Sequence, residues 1–197
     1  MRQFIICILA FTGGFVIMSI ELLGGRILSP YFGNSIYVWG SIITVFMLSL
    51  SVGYLIGGRL SLYNPNTRRF AAIFLGAAIL LYPLVYFGEP VMAGVFEQIE
   101  DPRYGSLVAA LIMFLPPTVV LGMISPYSVS LLVREARESG QIAGSLYFVS
   151  TLGSALGTLL TSFYLVLWFE INQILTGLTL TLLAVALCGV ALKEQRS

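Results

Sequence analysis

The stretch MSIELLGGRILSPYFGNSIYVWG, residues 18–40, ends one apolar segment, turns and begins the next. It places Glu21 and Arg26 among leucines and isoleucines. A charged side chain is costly in hydrocarbon, so one found there usually faces protein or trapped water and has a partner. We therefore expect any polar site of the molecule to lie near Glu21.

The composition around this stretch predicts an all-α integral membrane protein. The 197 residues are 58% hydrophobic and 10% charged, with a mean hydropathy of +0.95, which a soluble domain does not need. A formal net charge of +1 argues against a nucleic-acid partner. The chain has no histidine, and Cys7 and Cys188 lie in apolar runs far apart in the sequence. We therefore expect no metal site, no disulfide framework and no cofactor.

Six apolar runs approach or exceed the roughly 20 residues that span a bilayer. They are too continuous for barrel strands, so they predict six transmembrane helices in a single domain, 1–197. The first run is too long for a signal peptide and is expected to be retained. An acidic outer loop, 89–104, is expected between helices three and four as a solvated connection with room for a short surface helix. The six runs are 3–28, 35–62, 69–87, 105–133, 142–168 and 171–192.

The positions of the cations predict that both termini are cytoplasmic. With the N-terminus inside, only Arg26 and Arg103 lie outside, and eight cations lie on the cytoplasmic side, as the positive-inside rule requires. Those eight are Arg2, Arg59, Arg68, Arg69, Arg134, Arg137, Lys193 and Arg196.

An internal repeat is suggested by Ser29-Pro30-Tyr31, which recurs as Ser125-Pro126-Tyr127. Later, Gly40-Ser41 matches Gly144-Ser145, and Gly53 matches Gly157. Three helices per unit make the second unit enter from the opposite side, which predicts an inverted 3+3 repeat of units 1–88 and 105–192.

Two series of small residues spaced four apart predict close helix packing. We expect helices two and five to pack near the pseudo-twofold axis through these positions. The residues are Ser49, Gly53 and Gly57 on helix two, and Gly153, Gly157 and Thr161 on helix five.

Matching the two Ser-Pro-Tyr turns sets Glu21 opposite Pro117. Pro116 and Pro117 remove two backbone donors, so they are expected to bend or break helix four and free carbonyl oxygens. A carboxylate facing such carbonyls suits a cation or an amine. In the alternative, Glu21 pairs with Arg26 or another polar group and only fixes packing. Arg26 lies about 140° from Glu21 around a regular helix, so it could instead extend to the outer interface.

Aromatic residues are expected to crowd the same end as this site. They could form an interfacial belt or a cage for an ammonium group, and the sequence leaves both open. Together with Glu21, Arg26, Pro116 and Pro117, the candidate substrate-binding residues are Tyr31, Tyr37, Trp39 and Tyr127.

An ordered series of blocks resembles the membrane region of bacterial spermidine synthase-like proteins, also described as fused transporter/spermidine synthase proteins. The blocks are ELLGGRILSPYFG (21–33), YVWG (37–40), GYLIGGR (53–59), LPPTVVLGMISP (115–126) and GSLYFVSTLGSALGT (144–158). The resemblance implies a bacterial cytoplasmic (inner) membrane location and a link to polyamines. In fused members it also implies a soluble aminopropyltransferase domain that binds an S-adenosyl nucleotide. The glycine motif of such a domain is absent from these 197 residues, so we expect no catalytic residue here and no aminopropyl transfer by this chain alone.

The segment from Gly53 to Arg59 also resembles the loop between helices two and three of major facilitator transporters. Their six-helix halves contain inverted three-helix repeats, although Gly57 stands here where that pattern has an acid. Six helices correspond to half of such a transporter, so a central path would call for a homodimer.

Two functions therefore remain open. The chain could bind or transport a small cationic or amphipathic metabolite, alone or with a cytoplasmic S-adenosyl-nucleotide-using transferase. It could instead be a structural subunit that anchors a partner protein. Candidate partner-docking residues are the loop arginines, which could equally enforce topology and meet anionic lipid: Arg59, Arg68, Arg69, Arg134 and Arg137.

Overall fold

A computed structural model describes residues 2–63, 65–133 and 138–191, and these ranges contain helices and turns but no strand. A π-helical turn, Thr161–Leu165, joins α7 to α8. The helices are α1 (Arg2–Phe32), α2 (Ile36–Ser61), α3 (Thr67–Leu81), α4 (Pro83–Gln98), α5 (Pro102–Gly122), α6 (Ile124–Leu132), α7 (Ser139–Leu160), α8 (Val166–Trp168) and α9 (Ile171–Ala191).

Five helical stretches in the described ranges are long and apolar enough to cross a membrane, and α3 with α4 makes a sixth if that bent pair counts as one span. The α5–α6 and α7–α8 pairs each form one of the five, Pro102–Leu132 and Ser139–Trp168. The prediction of an all-helical, multi-pass membrane protein is therefore confirmed.

The segment 89–104, predicted as a solvated connection with room for a short surface helix, is mostly helical. The helical pair α3 and α4 bends by 41°, and α4 then continues to Gln98. Pro83 occupies the first position of α4, where its missing N–H costs nothing. Only residues 99–101 connect α4 to α5, and the Asp101 carboxylate caps α5 by accepting the Arg103 backbone N–H at 2.9 Å.

Prolines do not end the helices where the sequence suggested. The first helix continues through Pro30 and ends at Gly33, whose φ of +77° needs a residue without a side chain. The Gly33 N–H donates to the Ser29 carbonyl at 2.9 Å. Similarly, α5 continues through Pro116 and Pro117 to Gly122, so the expected break at the proline pair is absent.

The two closest helix contacts join α1 to α7 and α2 to α5, and α3 packs against α9. Helices two and five, which are α2 and α7, thus make their main contacts with α5 and α1 rather than with each other. A methyl group added at Gly53 would clash with the Val119 carbonyl of α5, and one added at Gly157 would clash with the Phe15 carbonyl of α1. Ser49, Gly57, Gly153 and Thr161 are also buried.

Polar bridges cross both contacts. The Thr161 hydroxyl donates to the Ser19 hydroxyl at 2.9 Å between α1 and the π-helical turn. The hydroxyls of Ser41 and Ser106 lie 3.0 Å apart between α2 and α5. The two series of small residues thus bring helix backbones together. The sequence did not predict which helix each series contacts.

Candidate functional site

Glu21 lies near the middle of the span Gln3–Phe32, about 5 Å from its midpoint at 1.5 Å per residue. A hydrocarbon core is roughly 30 Å thick, so a bilayer centred on this span would enclose Glu21. Its side chain is half-buried. Its carboxylate has no hydrogen bond or ion pair with any residue that the structure describes. An unpaired carboxylate within an apolar span makes Glu21 the first candidate for a functional site.

The surface of α1 around Glu21 is open, whereas the turns above and below it are covered. One turn toward the C-terminal end of α1, the Trp39 ring of α2 covers Gly25. Two turns toward its N-terminal end, α7 covers Gly14, and the Ser154 hydroxyl donates to the Gly14 carbonyl at 3.3 Å. We call the opening between these covers the Glu21 window. It consists of four half-buried residues, Ile17, Met18, Glu21 and Leu22.

Helices α2 and α7 flank the Glu21 window. Trp39 belongs to α2, and Ser154 belongs to α7. The window is therefore covered at both ends by side chains from these two helices.

The proline pair of α5 lies at the depth of the window. Phe114 packs over Gly24 of α1, and Ile124 packs over Gly13, so residues between them lie level with Glu21. Pro117 is buried and Pro116 is exposed. The next residue, Thr118, is fully buried, and its hydroxyl has no partner in the described structure. This level of the bundle therefore holds two unsatisfied polar groups, the Glu21 carboxylate and the Thr118 hydroxyl.

Arg26 is not part of the window. Its guanidinium donates to the Val166 carbonyl of α8 at 3.3 Å, so it does not pair with Glu21. The Val166 carbonyl lacks its helical donor because the helix breaks before α9. The Glu170 backbone N–H, which would donate to it in a continuous helix, donates instead to the Gln173 side chain at 3.1 Å. The Glu21 and Arg26 side chains thus lie on different faces of α1 and face different parts of the bundle.

Arg26 lines a cleft of about 390 Å³ between α1, α4 and the start of α9. We call it the outer cleft, after the side on which the positive-inside rule predicts it. Two carboxylates, Glu89 and Glu170, share this outer cleft with Arg26, and no described ion pair joins the three charges. The Tyr31 hydroxyl donates to the Glu89 backbone carbonyl at 3.5 Å. Two anions and one cation suit a ligand that carries an ammonium group. Sequence reasoning missed Glu170, although an acid between two apolar runs was a signal for it.

The candidate aromatic residues do not form one cage. The Tyr37 ring lies exposed at the start of α2, 5.7 Å from the Arg103 guanidinium. The Trp39 indole N–H donates to Asn34 at 2.7 Å. Tyr127 is fully buried beside the connection between α2 and α3, where its hydroxyl accepts the Asn66 backbone N–H at 3.1 Å. The prediction that Tyr127 lies at the same end as the others is wrong, because α5 and α6 run opposite to α1.

The three candidate docking residues that the structure describes lie at the same end as Tyr127. Arg59 and Arg68 are exposed, and the exposed Arg69 guanidinium donates to the Tyr63 carbonyl. Arg134 and Arg137 lie outside the described residues.

Comparison of the chain with models of protein families, with curated proteins and with solved structures gave no significant match. In the described ranges, no three cysteine, aspartate or glutamate side chains come together as a metal site would require. The strongest candidate site is therefore the Glu21 window, defined by its geometry.

Proposed function

We propose that this chain is a membrane module that binds a small metabolite carrying ammonium groups and passes it across the bilayer. One observation carries the proposal: the half-buried Glu21 carboxylate has no described partner at a depth where water is scarce. A protonated amine would supply both the missing charge and hydrogen-bond donors. The neighbouring Trp39 ring over Gly25 offers an aromatic face to the same cation.

The outer cleft supports the same class of ligand. Glu89 and Glu170 place two negative charges against one positive charge, Arg26, at the outer end of the bundle. Such a surface attracts cations from solution before they meet the membrane. The cleft and the Glu21 window lie on different faces of α1, so we assign them separate roles, with capture outside and binding inside.

We further propose that the bundle is an inverted 3+3 repeat resembling half of a major facilitator transporter. Such a repeat matches α1 with α5 and α2 with α7. The contact of α1 with α7 is then equivalent to the contact of α5 with α2, and both are present. Residues 53 and 157 are 104 positions apart, as are residues 15 and 119, and each glycine meets the matching carbonyl. This register sets Ser125, rather than Pro117, opposite Glu21.

The resemblance to spermidine synthase-like proteins leads us to propose polyamines as the ligand class and a cytoplasmic S-adenosyl-nucleotide-using transferase as a partner. It also leads us to propose the bacterial inner membrane, with both termini cytoplasmic, as the location. The exposed Arg59 and Arg68 support a second candidate function, which is anchoring of that partner without a ligand of the chain's own.

Spermidine binding to the purified protein in lipid nanodiscs tests the proposal. Charge-assisted hydrogen bonds contribute about 1.5–3 kcal/mol, so we expect Glu21→Gln to weaken binding by roughly tenfold to a hundredfold. Glu97→Gln is the matched control, because it removes the same charge from an exposed position of α4. Uptake of labelled spermidine into proteoliposomes then separates transport from binding alone.

Equal affinities of the wild type and Glu21→Gln, with unchanged folding, would remove the proposed ligand role of Glu21. A wild type that binds no polyamine but retains a soluble transferase through Arg59 and Arg68 would favour the anchoring function.

A further inference from the structure

The charged residues of the outer cleft lie near the edge of the apolar layer. Arg26 is about 13 Å from the midpoint of the span Gln3–Phe32 at 1.5 Å per residue, close to half the thickness of a hydrocarbon core of roughly 30 Å. Glu170 lies between two spans, one ending at Trp168 and the next beginning at Ile171. Trp168 is 79% exposed, as is usual for a tryptophan at a membrane interface. A bilayer centred on α1 would therefore place these charges at the level of the lipid headgroups.

The part of the outer cleft nearer the membrane centre is apolar. Leu84 and Val85 of α4 lie about 6–8 Å along the helix from Glu89, at 1.5 Å per residue. Leu175 of α9 lies about 8 Å along its helix from Glu170. All three apolar residues line the cleft, and Leu84 and Leu175 are buried. The cleft thus has charged groups toward the water and an apolar lining toward the lipid, which suits an amphipathic ligand.

The opposite charges of the outer cleft do not pair with each other. Arg26, Glu89 and Glu170 line one cavity of about 390 Å³, and no ion pair joins them in the part of the chain that the structure describes. At the same end of the bundle, Asp101 and Arg103 do pair, at 3.3 Å. A simple cation would leave the arginine without a counter-charge in the cleft, and a simple anion would leave both carboxylates. A ligand with one charge of each sign matches both kinds of group.

We propose that the outer cleft binds a phospholipid whose headgroup carries a phosphate and a primary ammonium group, as phosphatidylethanolamine does. The Arg26 guanidinium has further N–H donors besides the one bonded to the Val166 carbonyl, and its planar fork suits phosphate oxygens. The ammonium group donates to the Glu89 and Glu170 carboxylates, and the acyl chains follow the apolar lining.

This inference does not rest on the proposed function. The headgroup of the lipid is zwitterionic, so it adds no net charge. The outer cleft then keeps its excess of one negative charge, from two carboxylates and one guanidinium, and it still attracts cations.

Lipid retention measured by native mass spectrometry tests the headgroup. The full chain is released from nanodiscs that contain equal parts of phosphatidylethanolamine, phosphatidylcholine and phosphatidylglycerol. We expect at least about threefold preference for phosphatidylethanolamine, because the choline group has no N–H to donate and the glycerol headgroup has no cation. Equal retention of the three lipids would overturn the inference.

Two variants separate the ammonium contact from the phosphate contact. Glu89→Gln combined with Glu170→Gln should reduce phosphatidylethanolamine to the level of phosphatidylcholine, while retention of phosphatidylglycerol stays equal or rises. Arg26→Gln should reduce all three lipids, because each has the phosphate, but should keep the preference for phosphatidylethanolamine over phosphatidylcholine. A general loss of folding would not produce this pair of patterns.

Matched controls remove the same charges outside the cleft. Glu97→Gln and Arg103→Gln change exposed residues that do not line the cavity, and both should retain lipids as the wild type does. Preference for phosphatidylethanolamine that survives the loss of both cleft carboxylates would contradict the assigned contacts.

Glycerophosphoethanolamine, which has the headgroup without acyl chains, tests whether the ligand is a lipid. We expect it to displace phosphatidylethanolamine at least about a hundredfold less readily than a short-chain phosphatidylethanolamine does, because it buries no acyl chain on the apolar lining. Equal displacement would identify a soluble zwitterion and overturn the lipid assignment.

Glu21→Gln separates this inference from the proposed function. Glu21 does not line the outer cleft, so this variant should retain phosphatidylethanolamine as the wild type does, whether or not it binds spermidine. Loss of the lipid in Glu21→Gln with unchanged folding would contradict the placement of the lipid in the outer cleft.

Discussion

The surroundings of individual glycines decide which helix surfaces tolerate a side chain. Gly157 of α7 lies against the Phe15 backbone, whereas Gly177 of α9 has no neighbour within 4 Å of an added methyl group. Alanine in place of a helical glycine is otherwise stabilising by roughly 0.5–1 kcal/mol. Overpacking of a close contact costs about 1–3 kcal/mol.

We therefore predict that Gly157→Ala lowers the free energy of unfolding by about 1–3 kcal/mol, while Gly177→Ala leaves it unchanged or raises it slightly. Unfolding in mixed micelles with increasing dodecyl sulfate measures both variants against the wild type. Equal effects of the two substitutions would show that the α1–α7 contact does not depend on backbone approach.

At the same scale, the sequence predicted which residues are exceptional but not what they contact. Glu21 was identifiable because it is an acid in an apolar run. The contact of Arg26 with Val166 lies 140 positions along the chain and depends on a carbonyl left free at a helix break. Periodicity contains no information on such a partner. Small residues likewise predict a close helix contact but do not identify the partner helix.

At the scale of an element, the start of α5 depends on the ionisation of Asp101, which lies outside the membrane-spanning segments. The Arg103 backbone N–H, followed by its guanidinium, holds the pKa of Asp101 below its usual range. Because the folded pKa is the lower one, the cap contributes stability above the unfolded pKa of about 4. That contribution is lost as pH falls through the folded pKa.

We predict that the melting temperature of the wild type falls more steeply below pH 4 than that of Asp101→Asn, because asparagine caps a helix without titrating. Melting curves between pH 3 and pH 7 measure this difference. Glu100→Gln controls for general charge loss beside the cap. Parallel curves for the wild type and Asp101→Asn would mean that the cap does not contribute to acid stability.

In α4, the helical spacing of the buried residues was masked by its acidic residues. Its acids favoured a loop, yet Leu84, Gly88 and Met92 are spaced four apart and form its buried side. That spacing is typical of a helix. Pro90 lies within α4 without ending it.

At the scale of the whole molecule, apolar length predicted a multi-pass helical protein, and the structure has five or six such spans. The pairing of helices did not follow from it. Contacts of α1 with α7 and of α2 with α5 require surfaces to match across the fold. Hydropathy is a property of each run separately, so it could not indicate which helices pair.

The orientation of the molecule gives a further prediction. In a background without cysteine, Cys7→Ala with Cys188→Ala, Glu97→Cys should react with a membrane-impermeant maleimide on intact cells, because we propose that the C-terminal end of α4 lies outside. Arg68→Cys should react only after permeabilisation. Both side chains are exposed, so access to reagent rather than burial decides the result. The reverse pattern would invert the topology that the positive-inside rule predicts.

The long sequence separation across the α1–α7 contact has a consequence for synthesis. The Ser154 hydroxyl reaches the Gly14 carbonyl across 140 positions. At roughly 5–20 residues per second on the ribosome, α1 waits roughly 7–28 s for α7 to emerge. During that interval its glycine face and the Glu21 carboxylate have no native neighbour from α7, and the insertion machinery must shelter them. Helix α1 is therefore synthesised early but gains its native contacts with α7 late.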